Sequence, residues 1–170
     1  MGNILGNIVL LHWIQVPLIL VLVYLAYIDL RTFRLPDVIT LPLVLSGLIF
    51  NGFSQEGLVP FQDSAIGAIL GYASLWLLNS IYRLTKKQDG IGMGDAKLLA
   101  ALGAWLGWYA LPGILLMASL TGLIGGFIWL QWNKQNHRSA FPFGPFLAIA
   151  GIIELLWPQT LQTLLLSKLA

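Results

Sequence analysis

Asp29 and Asp95 each stand at the edge of a long apolar run, in a chain with seven acidic and nine basic residues among 170. A carboxylate in such a place is costly unless it is paired or wetted, so it marks a functional-site hypothesis. Two carboxyls facing each other at a few Å can share one proton, because both do not easily ionise together. One can then act as base on a water while the other protonates or polarises a peptide carbonyl. That is aspartic-protease chemistry, and it calls on no metal, Ser, Cys or His. Sequence spacing alone equally fits helix caps, or salt-bridge partners of Arg31, Arg34 or Lys97.

Asp95 closes a glycine-rich turn, Gly90-Ile91-Gly92-Met93-Gly94-Asp95-Ala96-Lys97, directly before the uncharged run 98–132. Gly92 and Gly94 let the backbone turn tightly and pack closely. Asp95 is expected to cap the helix that follows. A helix start favours a charged carboxylate and a helix end disfavours one, by about 0.3–1 kcal/mol. On that ground Asp95 is expected to be the base and Asp29, ending a helix, the acid. Asp37 is expected to cap a second helix, with tuning of the pair or binding of a basic peptide as the alternative. Lys97 has Asp37, a phosphate or open solvent as candidate partners.

The elements that position these residues follow from hydropathy. Residues are 58% hydrophobic and 9% charged, whereas soluble domains carry about 25% charge. The runs do not alternate as a transmembrane barrel strand would, so the fold class is all-α, a polytopic membrane bundle. Six spans are expected: 8–28, 38–53, 64–82, a short helix starting at the Gly92-Met93-Gly94-Asp95 turn, 113–132, and one opening at residue 141 and ending near Trp157. Run 98–132 is too long for one span and is expected to fold back at 107–112. The short fourth helix falls below the roughly 30 Å of a hydrocarbon core, which puts Asp95 in a water-reachable recess. Gly67 and Gly71 form a small-xxx-small face suited to close helix contact. Gly144, between Pro142 and Pro145, is expected to shape a broken helix start near the site. Residues 159–170 read as an amphipathic tail. Glu154 has no functional account.

With this segmentation every Lys and Arg except Lys168, eight of the nine in all, falls on the side that carries Asp29 and Asp95. The positive-inside rule makes that side cytoplasmic. The chain reads as one transmembrane domain over 1–170, without a separate soluble domain or a cleavable signal peptide. There is no cysteine, and the two histidines are far apart. This argues against disulfides, a thiol nucleophile and a Cys- or His-based metal site. No cofactor and no nucleic-acid partner are expected.

Three motifs occur in order: Asp29 with Arg31, Arg34 and Leu35-Pro36-Asp37-Val38-Ile39-Thr40; Gly92-Met93-Gly94-Asp95-Ala96-Lys97-Leu98; and Pro142-Phe143-Gly144-Pro145-Phe146. Together they resemble the bacterial type IV prepilin leader peptidases, membrane aspartic proteases of the GxGD class. The resemblance implies that Asp29 and Asp95 are catalytic. It implies a bacterial inner-membrane endopeptidase whose site faces the cytoplasm. Its partners would be membrane lipid and prepilins or type II secretion pseudopilins, which lose a short basic leader. Many members of that family add a Cys-containing cytoplasmic region and methylate the new N-terminus. That activity is not expected of a chain without cysteine. Two other classes fit the same residues: a small ion- or proton-coupled transporter component with Asp29 and Asp95 as ligands, and a non-catalytic subunit of a pilus or secretion assembly.

Overall fold

A computed structural model describes residues 2–54, 57–86, 92–133 and 142–158. Gly90 and Ile91 of the glycine-rich turn, the basic loop 134–140, Phe141 and the tail 159–170 lie outside the described residues. Among those described there are six α-helices and no strand: α1 Gly2–Thr32, α2 Asp37–Phe53, α3 Phe61–Lys86, α4 Met93–Leu106, α5 Leu111–Asn133 and α6 Gly144–Leu156. Three segments are long and apolar enough to cross a bilayer: Trp13–Thr32, Phe61–Thr85 and Trp108–Phe127. The fold is the all-α membrane bundle that the hydropathy predicts.

The 14-residue α4 is the centre of the bundle. Every residue from Leu98 to Trp105 is buried, and α3, α2 and α6 pack around it. At 1.5 Å per residue it is roughly 21 Å long, short of a roughly 30 Å core. Its last carbonyls therefore end away from bulk water and must find donors within the protein. Asn51 of α2 supplies them: its Nδ2 donates to the Ala104 carbonyl at 2.9 Å and to the Trp105 carbonyl at 3.2 Å. The Ser64 hydroxyl of α3 also donates to the Ala104 carbonyl. Gly107 then ends the helix at φ +82°, a left-handed conformation that glycine adopts without a Cβ penalty. A single 3₁₀ turn, Trp108–Ala110, leads into α5. The fold-back expected at 107–112 is here, and α5 starts at Leu111, two residues earlier than its expected start.

Small residues let α3 approach α4. A Cβ on Gly103 would lie 2.2 Å from the Gly67 carbonyl oxygen, and one on Gly71 would lie 2.6 Å from the Leu99 carbonyl oxygen. The Gly67/Gly71 face thus meets backbone, which cannot rotate aside. Two effects oppose each other in Gly103→Ala. Alanine raises helix propensity by about 1 kcal/mol, and overpacking a tight contact costs about 3 kcal/mol. Overpacking wins, so thermal unfolding in detergent is expected to show a lower midpoint for Gly103→Ala. Gly92→Ala, whose new methyl would meet only Asp95 Oδ2 at an ordinary 3.4 Å, is expected to leave the midpoint unchanged. Equal midpoints for the two variants would contradict the close α3–α4 contact.

Two expected caps are corrected. The N-cap of α4 is Gly92, not Asp95, and no side chain caps it. Asp95 instead sits inside the first turn, its backbone N–H donating to the Gly92 carbonyl at 3.1 Å. Likewise the N-cap of α2 is Pro36, and Asp37 is the first helical residue with no capping bond from its side chain. In both places the backbone turn that starts the helix falls a little earlier than side-chain preference alone suggests.

Candidate active site

Three helix ends and one loop converge at one end of the bundle. Asp29 lies in the last turn of α1, which closes at Phe33, whose N–H donates to the Asp29 carbonyl at 2.8 Å. Phe33 has φ +54°, a left-handed residue that turns the chain sharply after Asp29. The short segment 34–36 then leads to α2. Asp95 comes from the first turn of α4, and Gly144 opens α6. α1 packs against α6 and α6 against α4, so α6 carries the contact between the two aspartate-bearing helices.

Both carboxyl-bearing residues are buried, Asp29 at 4% and Asp95 at 9% exposure. Buried charge needs a partner. For Asp29 that partner is backbone: the Gly144 N–H donates to its Oδ2 at 3.1 Å. This N–H belongs to the first turn of α6, where it has no carbonyl of its own helix to serve. The glycine is required by space, because a Cβ there would lie 2.7 Å from Asp29 Oδ2. Leu35 lies against Gly94, which precedes Asp95, and against Gly144, which bonds Asp29, so both carboxyls belong to the same end of the bundle. A helix-end assignment of base and acid to Asp95 and Asp29 counts α1 and α4 only. The start of α6 gives Asp29 a helix N-terminus as well, and that asymmetry disappears.

The remaining residues singled out in the sequence divide. Gly94 is tight: a Cβ there would lie 2.9 Å from the Leu35 Cβ. Gly92 is not, as its ordinary 3.4 Å spacing from Asp95 shows. Lys97 forms an ion pair with Asp37, which ties the first turn of α4 to the first turn of α2. With Asp37 more than half exposed, such a pair contributes only about 0.2–1 kcal/mol. It ties the two helix starts together at a partly exposed position. Arg31 stacks over the Tyr27 ring at 5.5 Å, directed along its own helix. Among the described residues no three His, Cys, Asp or Glu converge as a metal site.

Sequence reasoning passed over Leu35. It was legible only as one letter of a motif, yet its side chain is buried and reaches both Gly94 and Gly144. An apolar residue in the loop between two charged ones, Arg34 and Asp37, was the available signal.

Comparison with known proteins decides the family. A family model described as the type IV leader peptidase family matches residues 16–127. The chain belongs to this family. The matched segment contains Asp29, Asp37, Gly92, Gly94, Asp95 and Lys97, and ends before Gly144. Curated relatives named prepilin leader peptidase/N-methyltransferase include one from Aeromonas salmonicida, 48% identical over 149 residues, covering 88% of this chain and 50% of the relative. The relative from Dickeya chrysanthemi is 47% identical over 135 residues, covering 79% and 47%. That from Pseudomonas aeruginosa is 45% identical over 136 residues, covering 80% and 46%. The chain therefore spans about half the length of the curated relatives it matches. No solved structure matches it. The family and the three long apolar helices make this an inner-membrane protein, and they give no support to a transporter component.

Proposed function

We propose that this chain is a membrane-embedded aspartic endopeptidase that removes the short basic leader from prepilins or type II secretion pseudopilins. The observation that carries the reading is the burial of two carboxyls, Asp29 and Asp95, at the same end of the bundle, in a chain of the type IV leader peptidase family. Hydrolysis needs what such a pair offers. One carboxylate removes a proton from water as the oxygen attacks the scissile carbonyl carbon. The other carboxyl gives its proton to the carbonyl oxygen. The tetrahedral intermediate then collapses, the C–N bond breaks, and the leaving amine takes up a proton from the pair. Two carboxyls that face each other at a few Å share one proton and titrate as a unit. The Gly144 N–H can only donate, so Asp29 Oδ2 keeps a lone pair toward it and the carboxyl is held in one rotation. Asp37 and Lys97 form the rim, where Asp37 carries the charge suited to a basic leader. Methyl transfer is not assigned to residues of this chain.

The segmentation assigns eight of the nine basic residues to the side of Asp29 and Asp95, which supports a cytoplasmic orientation. One experiment tests activity and orientation together. Membrane vesicles of both orientations, containing this protein, are mixed with a pilin-like precursor, and leader removal is read by mass spectrometry. Inside-out vesicles are expected to cleave and right-side-out vesicles are not. Absence of cleavage from both, and from detergent-solubilised protein, would overturn the reading.

A further inference from the structure

The loop after α1 contributes one apolar side chain to a site otherwise built from carboxyls and glycines. Leu35 is 7% exposed. Its Cβ lies where a Cβ on Gly94 would come within 2.9 Å, and its Cδ1 lies where a Cβ on Gly144 would come within 3.3 Å. The chain is therefore in contact with Leu35 next to Asp95 on one side and at the residue that donates to Asp29 on the other. Loop, α4 start and α6 start meet at Leu35, whose Cδ1 faces both glycines, 3.5 Å from a Cβ on Gly94 and 3.3 Å from one on Gly144. Both glycines leave room for it, and their lack of a Cβ makes sense as accommodation of one shared neighbour.

We propose that Leu35 is the spacer that sets the separation of the Asp29 and Asp95 carboxyls. It acts through Gly94 and Gly144, so it is a positioning residue. Interiors close-pack at fixed volume, so a leucine between two backbone segments holds them a side chain apart. Removing it lets the α4 and α6 starts move together or slide. Carboxyls that share a proton work only within a narrow range of separation, so the consequence is catalytic. The inference rests on the peptidase reading for its kinetic arm, and on geometry alone for its second arm.

That second arm uses the absence of cysteine from the sequence. A chain carrying Asp29→Cys and Asp95→Cys has two thiols and no others, and their rate of disulfide formation in mild oxidant reports separation without any catalysis. Adding Leu35→Ala is expected to change that rate by about tenfold, because reaction rates between held groups are steep in distance. Adding Leu35→Met, which conserves volume, is expected to leave it unchanged. In the chain with both aspartates, Leu35→Ala is expected to lower kcat for leader removal by about 10–100-fold with KM little changed, and Leu35→Met to restore kcat. If Leu35→Ala does not fold, Leu35→Val is read in the same way. A disulfide rate that Leu35→Ala leaves unchanged overturns the spacer, whatever the kinetics. A precursor left uncut by the unaltered chain counts against the peptidase reading alone, and the disulfide rates still decide the role of Leu35.

Discussion

Asp29→Asn and Asp95→Asn are each expected to lower leader cleavage by about 10²–10⁴-fold, the range for loss of a positioned acid or base. Asparagine keeps the shape of the side chain but can neither accept nor deliver the shared proton at neutral pH. The two losses are not expected to add. Once one carboxyl is gone, the other has no partner to divide the reaction with, so the double variant is expected to resemble either single one. Folding is not expected to suffer. At position 29 the Asn side-chain oxygen still accepts from the Gly144 N–H, and at position 95 the helix starts on backbone bonds without a side-chain cap. Cleavage is measured on purified protein with a pilin-like precursor, beside a thermal midpoint for each variant. Near wild-type cleavage in either would exclude the pair, and Asp37 at the rim would be the next carboxylate to test.

The bundle was legible in the sequence because bilayer physics is coarse. Charge avoidance over some twenty residues marks a span whatever its neighbours are, and hence the expected bounds fall within four residues of α2 and α3, while α1 starts six residues before its expected span. What hydropathy does not encode is how a short helix is closed. The Asn51 and Ser64 bonds to the end of α4 join α2 and α3 to a carbonyl dozens of residues away. In sequence they are merely two polar letters in or beside apolar runs. The site shows the same division. Asp29 and Asp95 were visible as misplaced charge, and Gly144 as part of a proline-flanked break. The bond between Asp29 and Gly144 was not, because it depends on α6 packing against α1, and no local pattern specifies that contact. The helix-end argument for base and acid met the same limit: it counted two helix ends, where the fold adds a third, the start of α6, at Asp29. Cap expectations failed locally, since Gly92 and Pro36 already provide extended backbone at the N-cap and the aspartates are displaced into the first turn.

Gly144→Ala is expected to lower kcat by about 10²-fold, the usual cost of a misplacement near 1 Å in a catalytic group, while leaving the protein folded. The added methyl would stand 2.7 Å from Asp29 Oδ2 and 3.0 Å from its Cγ, inside ordinary contact. Either the Asp29 carboxyl turns away or the start of α6 retreats, and both lengthen the 3.1 Å bond from the Gly144 N–H. Alanine is otherwise well suited to the first turn of a helix, so local propensity opposes the loss of structure. The clash is with the tip of a side chain, which can rotate, so the thermal midpoint is expected to move little. A general packing defect would give the opposite pattern, a lower midpoint with kcat reduced only as folded protein is lost. The decisive comparison is a double-mutant cycle with Asp29→Asn. If Gly144 acts by holding the Asp29 carboxylate, Gly144→Ala is expected to cost nothing further once that carboxylate is gone. The same factor lost in both backgrounds would place the role of Gly144 elsewhere, in the course of α6 itself.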